Sequence, residues 1–467
     1  MKLLLVATNR EQAPFPVAPL GALCVAAAAR AAGHQVQFLD LGIESSPKRA
    51  VRRRLAAGRV EAVALSIRNL DNCFVLAPRT YFDEVEEVAE TVRRCFQGPL
   101  IVGGSGFSLA PGGWMRRLEA DCGVVGEGER VLVELLGRLE AGRSLEGMAG
   151  VMTAPGRAGS SACGPAEPIE ELSRLPRPAH ELCRYGKYLR RGGSVSVQTK
   201  RGCPFGCVYC VYPQLEGRRY RLRPPEAVAE EVVAVLDQSK SRHFFFVDSV
   251  FNDPREHALG VCAALSRRRA PLRWMAFCNP MGFDAGLARA MAQAGCEGIE
   301  FGLDAVTPKM LAALGKPFGQ EEIRTAMQAA HQAGLPFSVH LLFGGPGETW
   351  ADVEEAQEFL NGCAPANAIF AGFGIRVYAG TALQTSAARE GLLAPDHELF
   401  EPAYYVSPAL AEQTEENLDR IVRRRPEWTS PVDWRRPMMR WAQRLSSLLG
   451  VRPQWKNIRG YGLHLRK

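Results

Sequence analysis

Three cysteines in the stretch "TKRGCPFGCVYCVYP", residues 199–213, are spaced to grip one compact centre: Cys203, Cys207 and Cys210, in a C-x3-C-x2-C pattern. Gly202 and Gly206 let the loop bend tightly, and Pro204 fixes one backbone dihedral. A structural zinc site needs a fourth Cys or His nearby. The next histidine is His243 and the next cysteine Cys262, both well beyond the loop. Three thiolates instead suit a 4Fe–4S cluster with one iron left open. An open iron can bind a substrate directly. A zinc knuckle or a redox dithiol is the alternative. An iron–sulfur electron-transfer protein is a further class, although a carrier would shield its cluster with four cysteines. The other ten of the thirteen cysteines are scattered singly and read as small buried hydrophobes.

The loop needs a frame. Residues 191–385 alternate strand-like runs ("SVSVQT", "RHFFFVD", "LRWMAF", "GIEFGL", "PFSVHLLF", "AIFAGFGIRVY") with amphipathic helical stretches. That rhythm predicts a partial (β/α)6, TIM-like barrel, with the cysteines just after its first strand, where barrels place their chemistry. Residues 1–142 alternate in the same way, from "KLLLVAT" to "GVVGEGERVLVELLGRLEAG", and predict a Rossmann-like parallel sheet. Ligands in such sheets sit beyond the carboxyl ends of the strands. Residues 143–190, rich in Gly, Pro and Ala, read as a linker stiffened by Pro176 and Pro178. Residues 386–467 lose the rhythm and read as a mostly helical, basic, Trp-rich extension. The expected fold class is therefore α/β.

At this point the sequence resembles the radical S-adenosylmethionine enzymes. The resemblance rests on the cysteine pattern with Tyr209 before its last member, at the end of the first barrel strand. "FFFVDSVF", "GIEFGLDA", "HLLFGGPGET" and "IRVYAGTAL" follow in the order of that family's segments. The resemblance implies Cys203, Cys207 and Cys210 as cluster ligands. It implies Tyr209 at the adenine, Asp248 and Ser249 at the methionine end, Glu300 and Asp304 near the ribose, and His340, Arg376 and Tyr378 around the same ligand. Arg376 is expected to pair with a carboxylate. Tyr378, Tyr404 and Tyr405 are candidate proton or radical donors from their place near or after the last strand.

The first 142 residues resemble the cobalamin-binding domain that precedes the barrel in one branch of that family. The carriers are "APLGALCVAAAARAAGHQVQFLDL", "IVGGSGFSLAP" and "DCGVVGEGER". This implies cobalamin contacts from Pro19, Leu20, Gly21, Ser66, Gly103, Gly104, Gly126, Glu127 and Gly128. The D-x-H-x-x-G motif, whose histidine binds cobalt from below in many such domains, is absent, and His34 reads as a surface turn residue. Arg68 and Asn69 in "LSIRNLDN" are expected to line the lower corrin face instead; a guanidinium stays protonated and is a poor ligand.

The resemblance implies a cobalamin-dependent C-methyltransferase that acts on an unactivated carbon through the 5′-deoxyadenosyl radical and methylcobalamin. Rearrangement, cyclisation or ring contraction without methyl transfer is the alternative. A small-molecule or peptide substrate would bind between the two domains, and an external electron donor would serve the cluster. No apolar run reaches the roughly 18 residues of a spanning helix, and "MKLLLVATNR" reads as a first strand rather than a signal peptide, so a cytoplasmic location is expected. Charge is uneven. From Asp419 to Lys467 there are 13 Lys and Arg against 3 acidic residues, a net of +10, so the rest of the chain carries −3 of the total +7. That tail, with Trp428, Trp434, Trp441 and Trp455, reads as a packed extension with a basic face. An anionic substrate, or a membrane surface met by "WAQRLSSLLG", is the functional option. No recognised motif supports nucleic-acid binding.

Overall fold

The computed structural model describes residues 1–154, 164, 166–268, 270–394, 396–412, 414–422, 426–430, 433 and 453–457. Its first sheet runs in the order β2-β1-β3-β4-β5-β6. The strands are β1 (Lys2–Ala7), β2 (Gln35–Asp40), β3 (Ala62–Ser66), β4 (Leu100–Gly103), β5 (Cys122–Val124) and β6 (Val151–Thr153). The first five pair in parallel and β6 pairs antiparallel with β5. β1, with Leu3, Leu4, Leu5 and Val6 all buried, is apolar on both faces, as a central parallel strand covered by helices must be. One face takes α1 (Leu20–Ala31) and α6 (Gly128–Glu140); the other takes α2 (Pro47–Ala57) and α3 (Phe82–Cys95).

The second sheet runs β7-β10-β11-β12-β13-β14-β17, parallel throughout. Its strands are β7 (Val195–Val197), β10 (His243–Phe246), β11 (Arg273–Cys278), β12 (Cys296–Asp304), β13 (Phe337–Phe343), β14 (Ala368–Phe373) and β17 (Trp428–Thr429). Six barrel strands are thus extended by a seventh from the C-terminal region. Two small antiparallel ribbons, β8 (Lys200–Arg201) with β9 (Arg221–Leu222) and β15 (Ile375–Val377) with β16 (Ala403–Tyr405), flank the barrel mouth.

Two expectations need correction here. "AIFAGFGIRVY" is not one strand. Gly374, at φ +74°, turns the chain after β14 and sends β15 out of the sheet to pair with β16. The stretch expected to be a linker is also structural. It supplies β6, and it buries His180, Tyr185 and Tyr188. Tyr188 donates to Asp40 at 2.7 Å, and His180 bridges Tyr185 (2.6 Å) and Glu231 (3.2 Å). Residues 155–163 and 165 of that stretch lie outside the described residues.

Buried pairs lock the two sheets together. Arg376 Nε donates to Asp71 Oδ2 at 2.8 Å, with both side chains almost fully buried. Arg221 makes two bonds to Glu127, at 2.8 and 2.6 Å, and Arg201 reaches Glu129 at 2.5 Å. Phe400 stacks on Phe82 at 4.3 Å and meets Trp114 edge-on at 5.3 Å, so an aromatic side chain from beyond the barrel enters the core of the first unit.

Candidate functional site between the two sheets

A cavity of about 520 Å³ opens beyond the carboxyl ends of β1, β3, β4 and β5. Its walls include Pro19, Leu20, Gly21, Ser66, Arg68, Asn69, Gly103, Gly104, Gly126, Glu127 and Gly128 from the first unit. Gln198, Val211, Tyr212, Leu215, Val247 and Tyr378 close it from the barrel side. The rim is built by a close crossing of two loops. Ile67 N donates to Gly103 O (2.7 Å), Gly106 N to Ile67 O (2.9 Å) and Ser105 Oγ to Arg68 O (2.8 Å). Gly104 makes this crossing possible: its φ is +101°, and a Cβ there would lie 2.5 Å from Ile67 O.

Arg68 reaches solvent-accessible space inside the cavity yet is surrounded by protein, and burial pushes its pKa down. Among the described residues no carboxylate pairs with it, so it is not an ordinary salt-bridge residue. The described lining contains no histidine. His34 lies elsewhere and is not a surface residue: it is buried, with Nδ1 3.1 Å from the Met1 nitrogen. Glu127 lines the cavity, but its carboxylate is spent on Arg221, Arg201 and Ile169 N. Burial would raise its pKa; the two guanidiniums and that N–H outweigh it and hold the group ionised.

The cysteine loop borders this cavity. Cys203, Cys207 and Cys210 are free thiols at the open end of the barrel, and burial pushes all three up, Cys210 to about 11. Each feels at least one of the other two electrostatically. Among the described residues, no three ligating side chains close round a bare ion. Three soft thiols on one loop, with no fourth Cys or His joining them among the described residues, fit a trithiolate iron–sulfur cluster better than a four-ligand zinc site.

The remaining expected residues divide. Tyr209 OH donates to Asp304 Oδ2, and Lys316 Nζ sits 2.6 Å from the same oxygen and 3.3 Å from the phenol. Burial alone would raise the pKa of Asp304, but Lys316 beside it holds it below the usual range. Ser249 Oγ donates to Gly202 O at 3.3 Å, beside Cys203. Asp248 is different. It is buried and fully used by Thr199 N (2.7 Å), Thr199 Oγ1 (2.6 Å) and Lys200, so it braces the first strand's exit instead of facing a ligand. Glu300 is also occupied, by His340 Nε2 (3.0 Å) and Trp455 Nε1 (3.1 Å). Arg376 does pair with a carboxylate, but with the chain's own Asp71.

The three tyrosine candidates are not brought together. Tyr378 lines the cavity, its OH 3.1 Å from Cys73 Sγ and its ring under Arg376. Tyr405 OH donates to Glu390 at 2.5 Å, and Tyr404 OH is buried with no partner among the described residues. Sequence reasoning missed Lys316, Tyr212, Asp71 and the role of Trp455. Only "YCVYP" gave a hint, since Tyr212 follows the last cysteine by two positions. In the tail, Trp428 and Trp455 are buried, while Trp434, Trp441 and "WAQRLSSLLG" lie outside the described residues. Among the described residues no helix is long and apolar enough to cross a membrane.

A two-unit α/β protein with a glycine-rimmed cavity facing a three-cysteine barrel loop is the arrangement of an enzyme that works with two cofactors. The B12 binding domain family matches residues 7–136, and the Radical SAM superfamily matches residues 197–360. The two matched domains are those of a cobalamin-dependent radical S-adenosylmethionine enzyme, and the relatives support a methyltransferase. The chain is 28% identical over 447 residues to the tryptophan 2-C-methyltransferase of Streptomyces laurentii, covering 82% of this chain and 74% of that one. The hopanoid C-3 methylase of Methylococcus capsulatus is 28% identical over 258 residues, which is 53% of this chain and 45% of the relative. In fold, the chain is similar to the solved methyltransferase TsrM from Kitasatospora setae, with tryptophan and an S-adenosylmethionine analogue bound. The TM-score is 0.85 at 24% identity, covering 100% of this chain and 98% of that one.

Proposed function

We propose that this enzyme methylates a ring carbon of a small aromatic metabolite, with tryptophan or a close indole as the first candidate. The observation that carries the reading is the shared cavity: one set of walls fits a corrinoid, the other belongs to the cysteine loop, and Tyr212 touches both. The relative with the longest match here is a tryptophan methyltransferase, which supports the choice of acceptor. Cys203, Cys207 and Cys210 would hold the cluster, and the glycine-rimmed loops would hold cobalamin. When bound, these groups supply the electron and the transferable methyl group.

The chain's own residues do the positioning. The glycines after β4 and β5 would let the backbone approach a large flat ligand, and Arg68, on the same cavity wall, would offer it a guanidinium. Tyr209, with its phenol tied to Asp304 and Lys316, presents a rigid ring face beside the cysteines for the adenine of S-adenosylmethionine. An external electron donor would approach the exposed tip of the cysteine loop, at Pro204 and Gly206.

The test is direct. The reconstituted protein, with cobalamin, S-adenosylmethionine, a reductant and L-tryptophan, is expected to yield methylated tryptophan and S-adenosylhomocysteine by mass spectrometry. Turnover of S-adenosylmethionine without a methylated indole would rule out this acceptor. A rearranged or cyclised product would favour the other branch.

A further inference from the structure

Trp455 lies 155 residues beyond Glu300, yet its indole N–H donates to Glu300 Oε1 at 3.1 Å. It enters at the amino ends of the barrel strands, opposite the cysteine loop. A Cβ on Gly298 would lie 2.8 Å from Pro453 and 3.2 Å from Trp455, so glycine at that position makes the room the segment occupies. The other oxygen of Glu300 lies 3.0 Å from His340 Nε2. A carboxylate only accepts, so Nε2 carries the proton. His340 Nδ1 has no partner among the described residues. The ring stacks on Phe370 at 4.6 Å with Phe277 edge-on at 6.3 Å, and Phe277 is 39% exposed. Alternation along β12 puts Gly298, Glu300 and Gly302 on one face, before the register shifts between Gly302 and Asp304. His340 is in register with Gly302 on the neighbouring strand.

We infer that the C-terminal segment completes the barrel interior: Trp455 holds Glu300, Glu300 fixes the tautomer of His340, and Nδ1 of His340 is thereby presented as a hydrogen-bond acceptor to the molecule bound in the barrel. Trp455 and Glu300 are positioning residues, and His340 is the ligand contact. The inference rests on the proposed function only for its choice of probes.

Full-length protein labelled with 15N-histidine tests it without any ligand. The His340 resonances, assigned by their loss in His340→Gln, should show Nε2 protonated and Nδ1 unprotonated, and Glu300→Gln should abolish that preference. Calorimetry with L-tryptophan and with S-adenosylhomocysteine supplies the second arm. His340→Gln should weaken one of the two by about tenfold, the worth of one hydrogen bond. Trp455→Phe, which keeps the plug but removes the N–H, should weaken the same ligand, and should add nothing in the His340→Gln background. A protonated Nδ1 in the native protein, unchanged affinity for both probes in His340→Gln, or full additivity of the two substitutions would each overturn the inference. Cobalamin uptake, followed by absorbance, is unaffected by these changes and reports separately on the proposed function.

Discussion

The Asp71–Arg376 pair is a nearly fully buried ion pair in the contact between the two sheets. Arg376 donates to Asp71 Oδ2 (2.8 Å), Leu399 O (3.1 Å) and Val377 O, while Asp71 also accepts from Cys73 N (2.8 Å). The side chains are 3% and 0% exposed, so water screens neither. Two unit charges at about 4 Å attract by about 4 kcal/mol at an effective dielectric near 20. Removing one partner of such a pair strands the other and costs about 3–5 kcal/mol, whereas removing both is far cheaper. Asp71→Asn and Arg376→Met are therefore each expected to destabilise by about 3–5 kcal/mol, and the double variant by at least about 2 kcal/mol less than their sum. The control is Arg116–Glu398, which also joins the two units but with side chains 57% and 65% exposed; breaking it should cost about 0–1 kcal/mol. The assay is urea unfolding of the cofactor-free protein, followed by tryptophan fluorescence. Single variants that cost no more than the exposed control, or a double variant equal to the sum, would refute the reasoning.

Three further outcomes are expected. Replacing any one of Cys203, Cys207 and Cys210 with Ala should abolish the iron content and visible absorbance of the reconstituted protein while leaving its far-ultraviolet circular dichroism intact. Arg68→Ala should alter the absorbance or electron paramagnetic resonance of bound cobalamin, and an unchanged spectrum, affinity and turnover would remove Arg68 from the site. Glu348 is buried under the loop after β13, and burial lifts its pKa to about 7 despite bonds from Gly344 N and Gly345 N. A raised acid means the folded state binds the extra proton. Its contribution is therefore present below the ordinary carboxylate range and is lost as pH rises through about 7, at most about 3 kcal/mol. Glu348→Gln should flatten that part of the stability–pH curve, and an unchanged slope in urea titrations between pH 4.5 and 7 would contradict it.

Much of the fold was legible because its signals are local. Alternating apolar runs and amphipathic stretches mark each parallel strand and its crossover helix, and the glycine-rich turns after β4 and β5 announce a cavity rim. The break in "AIFAGFGIRVY" was not legible, since a single glycine among β-formers is compatible with both an unbroken strand and a turn. "ELCRYGKYLR" looked like linker because its burial comes from the far side: Tyr188 meets Asp40, 148 residues away. The same holds at the site. The protein partners of Arg376 and Glu300 were not legible because Asp71 and Trp455 lie 305 and 155 positions off in sequence. A motif says which residue types are available; only packing decides whether a carboxylate faces a ligand or the chain itself. Asp248 makes the point sharply: a ligand-like aspartate at a strand end turns out to cap its neighbour's backbone.

The cysteine loop and the glycine-rimmed cavity are best understood as one site. Tyr212 is two positions after Cys210, lines the cavity, and sits in the electrostatic field of Arg68 on one side and of Cys203 and Cys210 on the other. Burial pushes its pKa to about 12, so it stays a neutral phenol at working pH. A neutral aromatic wall thus stands between the Arg68 guanidinium and the three thiols without adding a charge of its own. The inter-sheet pairs keep that wall in place: Arg376 lies over Tyr378 at 4.7 Å, and Tyr378 is the next wall of the same cavity. Fixing the two sheets relative to each other therefore also fixes the cysteine loop against the cavity, because Arg376 both pairs with Asp71 and covers Tyr378.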